Sequence, residues 1–131
     1  MTTPAVSFEV FPPRTVGAAF KLWDAAQALA PLAPRFFSVT YGAGGTTRDL
    51  THDSAHVLHR TSGLPVAGHL TCVGASRAET MEVADKFAEA GIKDIVALRG
   101  DPQAGTDKFE PHPEGFADSC ELIEALAKTG K

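Results

Sequence analysis

The sequence predicts an α/β fold of four consecutive βα units around a parallel sheet, and three observations carry that expectation. Glu9, Thr40, His69 and Arg99 stand near the ends of four apolar runs, separated by 31, 29 and 30 residues. That interval holds one strand, one helix and two turns. Within the runs bulky and small or polar residues alternate with the period of a strand. An amphipathic stretch at helical spacing then follows each run, and this alternation implies right-handed crossovers.

The first strand is read from Val6-Ser7-Phe8-Glu9-Val10, with Val6, Phe8 and Val10 on one face and Ser7 and Glu9 on the other. The first helix is expected over residues 15–30, with Val16, Ala19, Phe20, Trp23, Ala26 and Ala30 as its stripe and prolines punctuating both ends. Phe37-Ser38-Val39-Thr40-Tyr41 repeats the strand pattern, Ser38 and Thr40 being the odd pair. A second helix over 48–61 rests on Leu50, Ser54, Val57 and Leu58, and Gly63 with Pro65 ends it. Val66-Ala67-Gly68-His69-Leu70 places Ala67 under His69. The third helix is marked by Ser76-Arg77-Ala78-Glu79, a capping box, then by Thr80, Val83, Ala84, Phe87 and Ala88, and Gly91 supplies a left-handed stop. Ile95-Val96-Ala97-Leu98-Arg99 is expected to place Ala97 under Arg99. The last helix, over 113–128, would bury Phe116, Cys120, Ile123 and Ala127.

Polar groups converging on the C-terminal ends of parallel strands mark where such sheets hold their ligands. The 131 residues form one domain, and four βα units are half of an eight-unit barrel, whose usual size is roughly 250 residues. Sixteen acidic against 12 basic residues, with no basic stripe, argue against nucleic acid as a partner. No apolar run approaches the ~20 residues of a membrane span, and the start MTTPAVSFEV lacks a secretory pattern, so a cytoplasmic location is expected. Cys72 and Cys120 are too few for a disulfide framework or a zinc set and read as small apolar residues, Cys72 lying nearer the proposed mouth.

Each candidate has two readings on residue type alone. Glu9, flanked by Phe8 and Val10, suits a general acid whose charged form is penalised, or a structural ion pair with Arg14 or Arg99. The glycine-rich Tyr41-Gly42-Ala43-Gly44-Gly45-Thr46-Thr47 can present amides to a ligand or be a tight turn; it is neither GxGxxG nor a Walker loop. His69 fits a ligand contact, a proton carrier or a buried histidine satisfied by backbone. His52 and His56 have i, i+4 spacing but no HExxH glutamate and no third ligand, so no metal site is expected. Arg99-Gly100-Asp101 offers a planar donor fork and an acceptor to an anionic or heteroaromatic ligand, or forms a local salt bridge. The residues after it, 101–113, read as a wall or lid.

At these residues the chain resembles the methylenetetrahydrofolate reductase family, the flavoproteins of one-carbon metabolism. The matching segments are Ser7-Phe8-Glu9-Val10-Phe11-Pro12-Pro13-Arg14, Phe37-Ser38-Val39-Thr40-Tyr41-Gly42-Ala43, Thr47-Arg48-Asp49, His69-Leu70-Thr71-Cys72 and Ile95-Val96-Ala97-Leu98-Arg99-Gly100-Asp101. The resemblance implies a (β/α)8 TIM barrel with FAD at the strand ends. It also implies NAD(P)H as hydride donor and ping-pong reduction of 5,10-methylenetetrahydrofolate to 5-methyltetrahydrofolate. Carried over, Glu9 and Asp101 match the catalytic pair: Glu9 the general acid that opens the folate ring to an iminium, Asp101 the acid near the flavin pyrimidine and the pterin. Thr40, Tyr41, Ala43, His69, Arg99, Gly100 and Asp101 match flavin-contacting positions, Thr40 also lying near the nicotinamide, and Ala117 matches another.

The resemblance covers only the first half of that catalytic barrel. Two unpaired sheet edges should make the chain unstable alone or drive homo-oligomers, and reductase activity of the 131 residues is expected to be weak or absent. The competing readings are a non-catalytic flavin- or nucleotide-binding half barrel that self-associates, and an unrelated barrel enzyme whose glycine-rich turn holds a phosphorylated small molecule.

Overall fold

A computed structural model describes residues 2–42 and 47–130. Along the chain run β1 (Phe8–Val10), α1 (Val16–Leu29), a 3₁₀ turn (Ala30–Leu32), β2 (Phe37–Val39), α2 (Arg48–Ser62), β3 (Val66–Thr71), α3 (Arg77–Glu89), β4 (Asp94–Leu98) and α4 (Ser119–Thr129). The helix ends follow local chemistry. Thr15 caps α1 by accepting from the Ala18 amide. At α3 Ser76 accepts from the Glu79 amide while the Glu79 carboxylate accepts from the Ser76 amide, the expected capping box. Beyond it Gly91 takes φ 81°.

The strands pair in parallel in the order β1-β2-β3-β4. A sequential parallel order with right-handed crossovers puts every helix on the same face. The core agrees with that rule. Phe37, Val39, Val66 and Leu70 from one face of the sheet form a single buried cluster with Ala26 of α1, Ala55 and Leu58 of α2, Val83 and Phe87 of α3 and Leu122 of α4. The architecture is a four-stranded parallel α/β sheet with its helices on one face, consistent with half of an α/β barrel. Among the described residues β1 and β4 each leave one edge unpaired. No helix among those residues is long and apolar enough to cross a membrane.

Three sequence expectations are corrected. In α1 only Ala26 is buried, and Val16 and Phe20, expected in the stripe, are 74% and 67% exposed. The last helix starts at Ser119 instead of 113, because Asp118 accepts from the Glu121 amide and Glu121 accepts from the Ala117 amide. Its inward residues are therefore Leu122, Ala125 and Leu126, while Cys120 and Ile123 face solvent. In β4 the register pairs Gly68 with Ile95 and Leu70 with Ala97, which places Ala97 on the helix side. The residues below the polar edge are Val96, opposite His69, and Leu98, opposite Thr71.

Gly68 shows how tightly the helix side is filled. A Cβ built there runs into the ring of Phe87, which is fully buried. Replacing Gly68→Ala should therefore destabilise the chain by about 1–3 kcal/mol, the usual cost of overpacking. Urea unfolding of the two proteins measures this; an unchanged midpoint contradicts the packing described.

Candidate active site

The face of the sheet without helices carries the polar groups. In register across it lie Glu9, Ser38 and Ala67, and His69 follows Ala67 two residues on. Glu9 and His69 belong to strands separated by β2, so their backbones stand roughly 9–10 Å apart. Ser38 and Ala67 are small enough to leave the intervening space open, and Glu9 Oε2 reaches to 3.5 Å from His69 Nε2. This pair is the centre of the site.

The two partners sit in different surroundings. The His69 side chain is 8% exposed and that of Glu9 60%. Burial pushes the His69 pKa down, and the Glu9 carboxylate pulls it partly back up. The imidazole is thus held neutral, and although Nε2 lies within ion-pair range of Glu9 it makes no hydrogen bond. The expectation that Phe8 and Val10 penalise a charged Glu9 does not survive. Strand neighbours point to the opposite face, where Phe8 packs at 5.8 Å from the Phe37 ring. Nor does Glu9 pair with Arg14 or Arg99 among the described residues; its partner is His69.

A second group surrounds a cavity of about 280 Å³ lined by Tyr41, Gly42, Thr71, Val73, Leu98, Arg99, Gly100 and Asp101. Of the sequence candidates, Tyr41, Arg99, Gly100 and Asp101 meet here, and Glu9 and His69 lie beside them, His69 two residues before Thr71 on one strand face. β4 stops at Leu98 and Gly100 turns at φ 92°, and Arg99 lies between them among the residues lining the cavity. Its guanidinium carbon sits 4.5 Å from the centre of the Phe109 ring, a contact that steadies the arginine, whereas among the described residues none after Asp101 lines the cavity. The local salt bridge with Asp101 is not among the ion pairs of the described residues. A side chain at Gly100 would meet Val73 Cγ1 at 2.6 Å, so glycine is required both for φ and for space.

The loop at Tyr41 is fixed by residues that the sequence reading gave no role. The Gly42 amide donates to the Thr47 hydroxyl (2.6 Å), Thr47 and Thr51 hydroxyls lie 3.2 Å apart, and Thr51 donates to the Thr40 carbonyl (2.8 Å). Since Thr51 spends its proton on Thr40, Thr47 is the donor between the two hydroxyls. Both threonines are buried, and their relay clamps the backbone on either side of Tyr41. Arg48 Nε also donates to the Tyr41 phenol at 2.8 Å. Burial raises the Tyr41 pKa, with Arg48 opposing, so the phenol stays protonated. Thr47 and Thr51 at i, i+4 in the first turn of a helix were the available signal. Thr40 itself is half-buried, at the end of β2, with its amide bonded to the Val10 carbonyl.

The remaining candidates separate from this cluster. Ala117 is exposed before α4 and does not line the cavity. Ala43, Gly44, Gly45 and Thr46 of the turn lie outside the described residues. Cys72 is buried and its thiol donates to the Arg99 carbonyl (3.4 Å); burial raises its pKa, so it ties β3 to β4 and is a poor nucleophile. His52 bonds to the Lys86 carbonyl and His56 to the Ala90 carbonyl. No group of three metal-ligating side chains occurs among the described residues.

Sequential parallel strands with helices on one face, a carboxylate and an imidazole on the other, and a tyrosine and an arginine at a cavity by the C-terminal strand ends, define an α/β protein with a candidate small-molecule site. Within that class the chain belongs to the methylenetetrahydrofolate reductase family, whose family model matches residues 1–131. It is 50% identical over 126 residues to the 5,10-methylenetetrahydrofolate reductase of Pectobacterium carotovorum subsp. carotovorum, a match covering 95% of this chain and 40% of that protein. The Salmonella typhimurium protein of the same name is 43% identical over 122 residues, 93% of this chain and 40% of its own length. Methylenetetrahydrofolate reductase (NADH) 1 of Arabidopsis thaliana is 35% identical over 122 residues, 93% of this chain and 21% of its own. The chain therefore spans about 40% of the bacterial relatives' length.

The depressed His69 pKa has a consequence for stability. Between that lowered folded value and the ordinary unfolded value near 6.5 the unfolded chain binds more protons. Stability from neutral His69 is full above pH 6.5 or so and is lost as pH falls through the folded value. Wild type minus His69→Gln, measured by urea unfolding from pH 7.5 to about 5, should decline toward acid. A difference independent of pH contradicts the buried neutral imidazole.

Proposed function

We propose that this chain supplies the first half of an FAD-dependent catalytic barrel that reduces 5,10-methylenetetrahydrofolate to 5-methyltetrahydrofolate with NAD(P)H as hydride donor. The observation that supports it best is the meeting of Tyr41, Arg99, Gly100 and Asp101 around one cavity beside the Glu9–His69 pair, in a member of this family. At about 280 Å³ the cavity lies near the lower limit of ligand pockets, about 300 Å³. It suits the ring end of a flavin and not a whole dinucleotide. Its apolar walls, Val73 and Leu98, with the Arg99 donors and the Asp101 acceptor at the rim, match a flat ring with a polar edge. Of the positions that the resemblance assigns to the cofactor, Tyr41, Arg99, Gly100 and Asp101 line the cavity, Thr40 and His69 belong to the neighbouring strand ends, Ala117 does not line it, and Ala43 lies outside the described residues.

FAD, when bound, supplies the two-electron carrier between nicotinamide and folate. The protein's part is placement and proton handling. Glu9, open to solvent on one side and close to neutral His69 on the other, can take a proton from water and deliver it from its carboxyl oxygen to the folate nitrogen. His69, kept uncharged by burial, stands 3.5 Å from that carboxyl without competing as an acid. Asp101 accepts from ring N–H groups, and Arg99, held on Phe109, donates to ring carbonyls. Two free sheet edges favour self-association of the chain.

Mixed with FAD, the chain should quench flavin fluorescence while turning over NAD(P)H and menadione weakly or not at all. Absence of quenching contradicts the site; robust turnover contradicts the need for the remaining strands. In whichever assembly reduces the folate, Glu9→Gln should lower that step by roughly 10²–10⁴-fold while flavin reduction by NAD(P)H persists. Equal loss of both half-reactions would remove Glu9 from the acid role.

A further inference from the structure

Two buried side-chain atoms have no hydrogen-bond partner among the described residues, His69 Nε2 and Thr71 Oγ1, and they lie two residues apart on the same face of β3. A buried hydroxyl without a partner is destabilising, and folded proteins rarely leave one without a reason. Thr71 is 6% exposed and lines the cavity with Tyr41, Arg99 and Asp101. Its neighbours give the hydroxyl nothing: Leu98 stands opposite it in register, Val73 follows it, and Gly100 has no side chain.

We propose that Thr71 is a ligand-contacting residue of this cavity, its hydroxyl pairing with the polar rim of a planar heteroaromatic ring bound there. A hydroxyl can donate to a ring carbonyl or accept from a ring N–H. Arg99 is a donor only and Asp101, when ionised, an acceptor only, so Thr71 adds a contact of a kind neither can make in both senses. A turn of about 120° around χ1 of threonine carries the hydroxyl into the position the methyl held and the methyl into that of the hydrogen. This inference rests on the flavin reading above and extends it to a residue that the family resemblance did not assign.

The test compares wild type, Thr71→Val and Thr71→Ser as 131-residue chains, by FAD fluorescence titration and by thermal unfolding without FAD. Valine keeps the shape and removes the hydroxyl; serine keeps the hydroxyl. Thr71→Val should bind FAD about tenfold more weakly and Thr71→Ser within about twofold of wild type, the size of one ligand hydrogen bond. Without FAD the valine variant should unfold at the same temperature as wild type or higher, since no internal bond is lost. Equal FAD affinity for valine and wild type overturns the role of Thr71 and leaves the flavin reading standing. A lower unfolding temperature for valine also overturns it, because the hydroxyl then has a partner inside the fold. If wild type takes up no FAD, the flavin reading and this inference fall together.

Discussion

Everything in this molecule depends on the two-residue period of its strands in a sheet that is covered on one face only. All the helices dock on the side of Phe37, Val39, Val66 and Leu70, and that side is filled to the point where Gly68 has no room for a methyl group. The alternate residues are then free of core duty. Polar groups at Glu9, Ser38, His69 and Thr71 carry no penalty of displacing apolar packing, and they project from a rigid parallel ladder. A one-residue slip in any strand would exchange the two sets.

On that face small residues matter as much as reactive ones. Ser38 and Ala67 keep the ground between β1 and β3 clear, which lets a carboxylate and an imidazole meet across an intervening strand. The result is asymmetric. His69 is enclosed and held neutral, whereas Glu9 keeps access to solvent, so a proton can arrive at the carboxylate without charging the ring. The threonine relay through Thr47 and Thr51 performs the corresponding task for the Tyr41 loop, with backbone as the thing positioned. Arg99 is steadied from outside the sheet, by Phe109.

The order of elements and the edge on which the polar residues gather were legible because spacing and alternation are properties of the backbone, insensitive to tertiary detail. The capping box at Ser76 and Glu79 was equally legible, being local. What failed was contextual. Ile95, Val96, Ala97 and Leu98 are all apolar, so nothing in β4 distinguishes its faces; only pairing with Gly68 and Leu70 does. The start of α4 was obscured because Phe116 is buried from the preceding loop, while Asp118 and Glu121 set the helix to begin three residues after it, at Ser119. Glu9 was misjudged by treating sequence neighbours as spatial ones. Thr51 and Thr71 passed unnoticed because a threonine's role lies in its partner, or in the lack of one.

The approach of Glu9 to His69 over Ser38 is the claim on which the site stands, and NMR titration of the His69 ring in wild type and Glu9→Gln tests it most directly. His69 should titrate below the ordinary histidine value in wild type and lower still in Glu9→Gln, since the carboxylate is what supports its charged form. A titration unmoved by loss of the Glu9 charge, or one at or above the ordinary value in wild type, would mean that the two side chains do not share one site.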